Sequence, residues 1–209
     1  MNPRLLVTMI LDNSAAFQGE KFDKFKLAFE NMLKKFNDAN PANIDLEIIA
    51  YNEFSPVVLK TFKEKEFKAK ELEPFKMPFL GKSIEQGLKD LMSLTDYYDE
   101  KGVPMYKPWF FIITNAYSFD DLDKPVADMK SFFMSQKVLY MPFILSQRKI
   151  PTNVEALQKV KAFMRIKDGA YEEFFNWFFN MATKRANTDI ETSVKFDRAD
   201  FEEWAVLWF

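Results

Sequence analysis

The sequence predicts an α/β domain: a doubly wound, mainly parallel sheet flanked by helices, with one antiparallel edge hairpin. Three observations predict it. Near-continuous apolar runs recur at residues 5–11, 109–114 and 138–145, the pattern of strands covered on both faces. Segments with apolar residues spaced by three and four stand between those runs, as crossover helices do. One pair of strands, 44–51 and 57–62, is separated only by a short polar turn containing Pro56, which reads as a hairpin.

The elements follow in order. Residues 5–11 form the first strand and lead into a loop, 12–19. The segment 21–36 repeats Phe22, Phe25, Phe29, Met32, Leu33 and Phe36 on one face of a helix, and Asn37 to Pro41 ends it. After the hairpin, residues 63–76 are charged and irregular, so a surface connection is expected. Residues 82–94 carry Ile84, Leu88 and Leu91 on one helical face. The stretch 95–108 holds Gly102 and two prolines and reads as a loop. The strand 109–114 precedes a helix over 121–135, the strand 138–145 and a helix over 153–163. Residues 164–166 fit a short edge strand, and 170–183 an aromatic-rich helix. Its rings are too many for one face, so Phe175 or Phe179 is expected to stay partly exposed. In such folds the sites lie at the carboxyl ends of the strands. Here those ends lead into 12–19, 114–121 and 146–152, with 77–81 reaching the same rim.

Composition narrows the chemistry. The chain has 209 residues, enough for one sizeable domain. Its 24 phenylalanines require a core packed largely with rings. The formal net charge of -2 argues against a nucleic-acid role that depends on basicity. With no cysteine and no histidine, disulfides, zinc sites, thiol nucleophiles and histidine triads are excluded. No apolar segment has the length of a membrane span and no signal peptide is read at the start, so a cytoplasmic protein is expected.

Four motifs stand in order. They are Leu11-Asp12-Asn13-Ser14-Ala15-Ala16-Phe17-Gln18-Gly19, then Pro78-Phe79-Leu80-Gly81-Lys82-Ser83-Ile84, then Lys107-Pro108 with the strand ending Thr114-Asn115-Ala116 before Asp120-Asp121, and Phe174-Phe175-Asn176-Trp177. Together they resemble a von Willebrand factor A (vWA) domain, nearest to the tellurium-resistance, TerY-type bacterial proteins. The resemblance covers nearly the whole chain and implies a vWA-like domain over residues 1–196. It also implies a metal-ion-dependent adhesion site at five positions: Asp12, Ser14, Ala16, Pro78 and Asn115. Family members carry Asp, Ser, Ser, Thr and Asp there. Ala16 offers no oxygen, Pro78 offers neither hydroxyl nor amide proton, and Asn115 replaces a carboxylate by a neutral amide. Magnesium requires six oxygens and dehydrates reluctantly, so no metal and no other cofactor are expected. A weak magnesium site on Asp12, Ser14 and Asn115 is the alternative. Without the ion, Asp12 is expected to accept hydrogen bonds from loop amides, forming with Ser14 and Asn115 a metal-free polar network.

The resemblance implies a non-enzymatic module that binds other proteins in a bacterial stress-response or defence assembly, with no nucleic acid and no membrane. The runner-up is a magnesium-dependent module that captures an acidic residue of its partner. A carboxylate hydrolase ranks below both, because no catalytic pair or phosphate loop can be placed. Candidate partner contacts are Phe17, Phe79, Tyr117, Asp120 and Asp121 on the rim. Such acidic residues are more often a solvated helix start, favoured by the helix dipole. Residues 197–209 are read as an aromatic helix or tail, with Asp200 at its N-cap and Phe201, Trp204, Leu207 and Trp208 on one face. That segment is expected to fold back on its own domain, the alternative being that Trp204 and Trp208 anchor in a partner. Oligomeric state is left open.

Overall fold

The computed structural model describes residues 3–14, 17–51, 56–62, 65–67, 72–73, 77–115, 117–135, 137–145, 152–192, 199 and 201–208, with backbone alone at 152, 153 and 208. Seven strands and five helices are described: β1 (Leu5–Asp12), α1 (Glu20–Ala39), β2 (Ile44–Tyr51), β3 (Pro56–Lys60), α2 (Leu80–Glu100), β4 (Trp109–Thr114), α3 (Asp123–Met134), β5 (Leu139–Ile144), α4 (Thr152–Gln158), β6 (Phe163–Ile166), α5 (Tyr171–Ala186) and β7 (Ala205–Trp208). The sheet order is β3-β2-β1-β4-β5-β6-β7. β1 lies parallel between β2 and β4, and every residue of β1, β2 and β4 is buried. That explains the near-continuous apolar character of β1 and β4, since a strand covered on both faces has no position for a solvated side chain; β2 is covered equally but carries Asp45 and Glu47, which take hydrogen bonds from Arg4 and Tyr98 and from Thr8.

The mostly parallel, doubly wound architecture agrees with the sequence reading, and so does the antiparallel β2–β3 edge. α2 runs to Glu100, so residues 95–100, read as loop, are helical. Three further details differ. The C-terminal segment is not a helix. A turn over residues 201–204 leads into β7, which pairs antiparallel with β6 and makes a second antiparallel edge. β6 is therefore an interior strand. The stretch 63–76 is not merely superficial either. Phe67 and Leu72 are buried, and Asn37 exchanges two hydrogen bonds with the Phe67 backbone at 2.8 and 3.1 Å.

Two layers cover the sheet. α1 and α5 cover one face with rings. Phe25 meets Phe175 at 5.3 Å, Phe36 meets Phe179 at 4.8 Å, and Phe111 of β4 meets Phe178 edge-on at 5.1 Å. Of the two rings expected to stay partly exposed, Phe179 does, while Phe175 is buried because α5 turns it onto Phe25 and Phe29. Trp204 joins this layer at 5.1 Å from Trp177 and 5.3 Å from Phe174. Burying each large ring is worth roughly 1.5–3 kcal/mol, so the phenylalanine excess is spent here.

α2, α3 and α4 cover the other face. Gly87 of α2 sits so close to the sheet that a Cβ there would lie 2.8 Å from Thr8 Cγ2 and 3.1 Å from Ile10 Cδ1. Replacing an interior helical glycine by alanine ordinarily gains about 1 kcal/mol. At this contact, overpacking costs about 1–3 kcal/mol and wins. Gly87→Ala is therefore expected to lower the urea midpoint, and a raised midpoint would contradict the packing described.

Candidate functional site

The carboxyl ends of β1 and β4 meet at Asp12. The residue is fully buried. Its Oδ1 accepts the Ser14 amide N–H at 2.7 Å, and its Oδ2 accepts the Asn115 amide N–H from the loop after β4. One carboxylate thus closes its own turn and ties two loops that are 103 residues apart in sequence. The Tyr51 hydroxyl, at the end of β2, donates to Thr114 Oγ1 at 3.0 Å in the same layer. Burial, then the charge of Asp12 beside it, holds the Tyr51 phenol well above its ordinary range. The phenol therefore stays protonated and remains a donor.

Ser14 is buried, and its Oγ has no hydrogen-bond partner among the described residues; the same holds for Asn13 Oδ1. The network expected among Asp12, Ser14 and Asn115 is thus one of backbone donors, in which the serine hydroxyl takes no part. Asn13 Nδ2 donates to the Glu73 carbonyl at 3.0 Å, fixing the first loop to the segment before α2. Ala16 lies outside the described residues.

The second and third loops are joined by helix capping. α2 begins after Phe79, which offers no side-chain cap. The third loop supplies one instead. Asp120 accepts the amide N–H of Gly81 at 3.1 Å and of Lys82 at 2.8 Å. The Leu80 N–H donates to Ser118 Oγ at 3.1 Å, and that hydroxyl donates on to Asp120. Pro78 is buried and accepts the Phe119 N–H through its carbonyl at 2.9 Å. Free helix N-terminal amides need such partners, and a carboxylate there also meets the positive end of the helix dipole. Gly81 permits the approach: a Cβ would stand 2.5 Å from the Asp121 carbonyl oxygen. Asp121 itself accepts the Asp123 N–H at 2.9 Å, opening α3.

The candidate partner contacts therefore divide. Phe17 is corrected: it is only 4% exposed, because its ring turns inward against Phe22, Phe25 and Tyr171 at 5.3 to 6.0 Å. Trp204 is likewise corrected, being 4% exposed in the layer under α5. The Trp208 side chain lies outside the described residues, while its backbone pairs with Phe163. Asp120 is engaged as a cap. Tyr117 remains open at 40% and packs edge-on against Phe119, itself 51% exposed, at 4.9 Å. Phe79 is half-buried, with the Lys82 ammonium 5.0 Å from its ring centre. Phe119 was missed by the sequence reading, although its place in the loop after Asn115 was a usable signal. Among the described residues no three acidic, histidine or cysteine side chains cluster as a metal set, and no helix is long and apolar enough to cross a membrane.

Asp120→Ala removes an N-cap and is expected to cost about 0.5–2 kcal/mol by urea unfolding. Asp12→Ala leaves two amides without their acceptor, at about 1–3 kcal/mol for each one buried. Asp12→Ala is therefore expected to be the more destabilising of the two; the reverse order would contradict the central place given to Asp12.

No protein-family model matches the chain, and no curated protein matches it. Solved structures do. The N-terminal domain of TFIIH p34 is 17% identical with a TM-score of 0.55, covering 85% of this chain and 97% of that one. Manganese-loaded Plasmodium vivax TRAP protein is 11% identical with a TM-score of 0.52, covering 76% and 63%. Proximal thread matrix protein 1 of the mussel byssus is 10% identical with a TM-score of 0.59, covering 87% of this chain. The chain spans 48% of that protein's length. The SpRpn10 VWA domain is 12% identical with a TM-score of 0.50, covering 75% of this chain and 82% of that domain. At these identities the likeness concerns architecture, and the architecture is vWA-like.

Proposed function

We propose that the chain is a non-enzymatic protein-binding module: a vWA-like domain whose metal-ion-dependent adhesion site is degenerate, related to the TerY-type proteins and working in a cytoplasmic bacterial stress-response or defence assembly. The observation that carries this reading is the Asp12 carboxylate, which joins the first and third loops through amide hydrogen bonds. Of the five adhesion positions it is the one with a carboxylate. Pro78 brings no side-chain oxygen and Asn115 no charge, a donor set that fits a divalent cation poorly. Beside this site the Tyr117–Phe119 pair offers exposed rings, the residue type that dominates binding hot spots. TFIIH, for which a similar structure is named, supports protein partners by analogy of fold, which by itself does not establish function.

A second reading keeps the metal. It draws on Ser14 Oγ, buried without a partner among the described residues, and on the manganese-loaded neighbour. Calorimetric titration with Mg²⁺ and Mn²⁺ separates the two. The degenerate-site reading expects no micromolar binding; binding that Asp12→Ala abolishes would establish the second reading in its place. A pull-down from the native host is expected to recover the same partner with and without chelator. The double variant Tyr117→Ser, Phe119→Ser should lose that partner while keeping its thermal midpoint. Retention of the partner by the variant would remove the rim from the account.

A further inference from the structure

A second concavity lies away from the rim, between α2 and the β2–β3 edge. It has a volume of about 720 Å³ and is lined by Glu47, Phe62, Asp90, Leu94, Tyr97 and Tyr98, with Thr61 and Ser93. That size falls within the usual range of small-molecule sites, roughly 300–1,000 Å³. Glu47 projects from β2 toward α2 and is 2% exposed. Its neighbours on the same face of the strand are Ile49 and Tyr51, both in the apolar layer under α2. An apolar side chain would fill position 47 without cost, whereas a buried carboxyl requires partners. Glu47 has two. Thr8 Oγ1 donates to Glu47 Oε2 at 3.2 Å, and the Asp90 carboxyl of α2 lies beside it in the cleft. Gln86 in turn donates to Asp90 Oδ2 at 2.6 Å.

The walls are aromatic. Tyr97 and Tyr98 have ring centres 5.7 Å apart, and Tyr97 is half exposed at the mouth. Among the described residues no lysine or arginine lines the cleft. Arg4 and Lys101 rest against the rings of Tyr98 and Tyr97, 5.8 Å from each. Arg4 is also paired with Asp45. Two carboxyls meeting in an aromatic-walled cleft that no cation lines among the described residues form a cage for positive charge.

We propose that this cleft binds an organic ammonium ion, whose charge meets the Glu47–Asp90 pair and whose alkyl chain lies against Phe62, Leu94 and Tyr97. A divalent metal is a poorer fit, since no third acidic or histidine ligand accompanies the pair among the described residues. Binding is coupled to a proton. In the free protein, burial first and then the charge and hydrogen bond of Asp90 push the Glu47 carboxyl up to about 9, so at pH 7 it holds its proton. The groups facing it are Asp90 and the two tyrosines from α2, Thr8 from β1, and Asp45 with Arg4 beside it on the sheet. Among the described residues, the segment after β3 contributes Thr61 and Phe62, which do not titrate. An entering ammonium takes the place of the Glu47 proton. Glu47 is left ionised, and one proton passes to solvent.

Calorimetry on the full chain tests this with 1,4-diaminobutane, n-butylammonium and the neutral control n-butanol. Runs at pH 7.5 use two buffers of different ionisation heat. The expected result is binding of both amines, at least tenfold weaker binding of butanol, and release of about one proton. Affinity should rise up to about tenfold per pH unit toward pH 9, by one-proton linkage. Glu47→Gln, the isostere of the protonated acid, should bind at least tenfold more weakly and release no proton. Tyr97→Ala, at a half-exposed position, should weaken amines more than butanol. N-acetyl-lysine N-methylamide separates sources: tighter binding than butylammonium assigns a lysine side chain, weaker binding a free amine. Equal affinity for butanol, unchanged binding by Glu47→Gln, or no amine binding at millimolar concentration would overturn the proposal.

Discussion

One buried carboxylate holds the rim together. Asp12 accepts amide hydrogen bonds from Ser14 in its own loop and from Asn115 across the sheet. Both donors belong to backbone, so the geometry does not depend on what the Asn115 side chain carries. An ionised acceptor makes such bonds roughly twice as strong as neutral ones, and their seclusion from water keeps them so. Tyr51, kept protonated by burial and by the charge of Asp12, completes the layer by donating to Thr114. The first and third loops therefore occupy fixed positions without a further charge.

The rest of the rim follows from the third loop. Once Asn115 is placed, Ser118 and Asp120 reach the start of α2 and cap it. The helix lacks a cap of its own, so its N-terminus and the loop order each other. Gly81 at the contact and Gly87 two turns later let α2 lie hard against that loop and then against β1. With Ser118 and Asp120 turned toward α2, the rings of Tyr117 and Phe119 stand exposed beside Asp121. The same logic of inward polar pairing gives the cleft at Glu47, at the other end of the α2 layer, a different chemistry. There the groups brought together are two acids, and burial keeps the Glu47 carboxyl protonated.

Much of the sheet was legible because strands covered on both faces are mostly apolar, as residues 109–113 are. β7 was not legible. Phe201, Trp204, Leu207 and Trp208 fit a helical spacing, yet a turn at 201–204 sends Trp204 inward and leaves Val206 and Leu207 about half exposed along the edge strand. Phe17 follows a rim loop in sequence but belongs to the ring cluster of α1 and α5. The role of Asp120 depends on amides about 39 residues earlier in the chain, a pairing no local pattern encodes. Asp12 was different: an aspartate directly after a buried strand has few ways to be satisfied other than through loop amides, and the sequence pointed to that. Glu47 carried a signal that went unused, since a glutamate within a fully buried strand requires a partner.

The central claim is that hydrogen bonds from Ser14 and Asn115 to Asp12, and not a bound cation, fix the rim. Amide hydrogen exchange at Ser14 and Asn115, resolved by NMR, tests it most directly when run in chelator and again in millimolar magnesium. The account predicts that both amides are protected, to the same degree, in the two conditions. Protection that appears only with magnesium would contradict it.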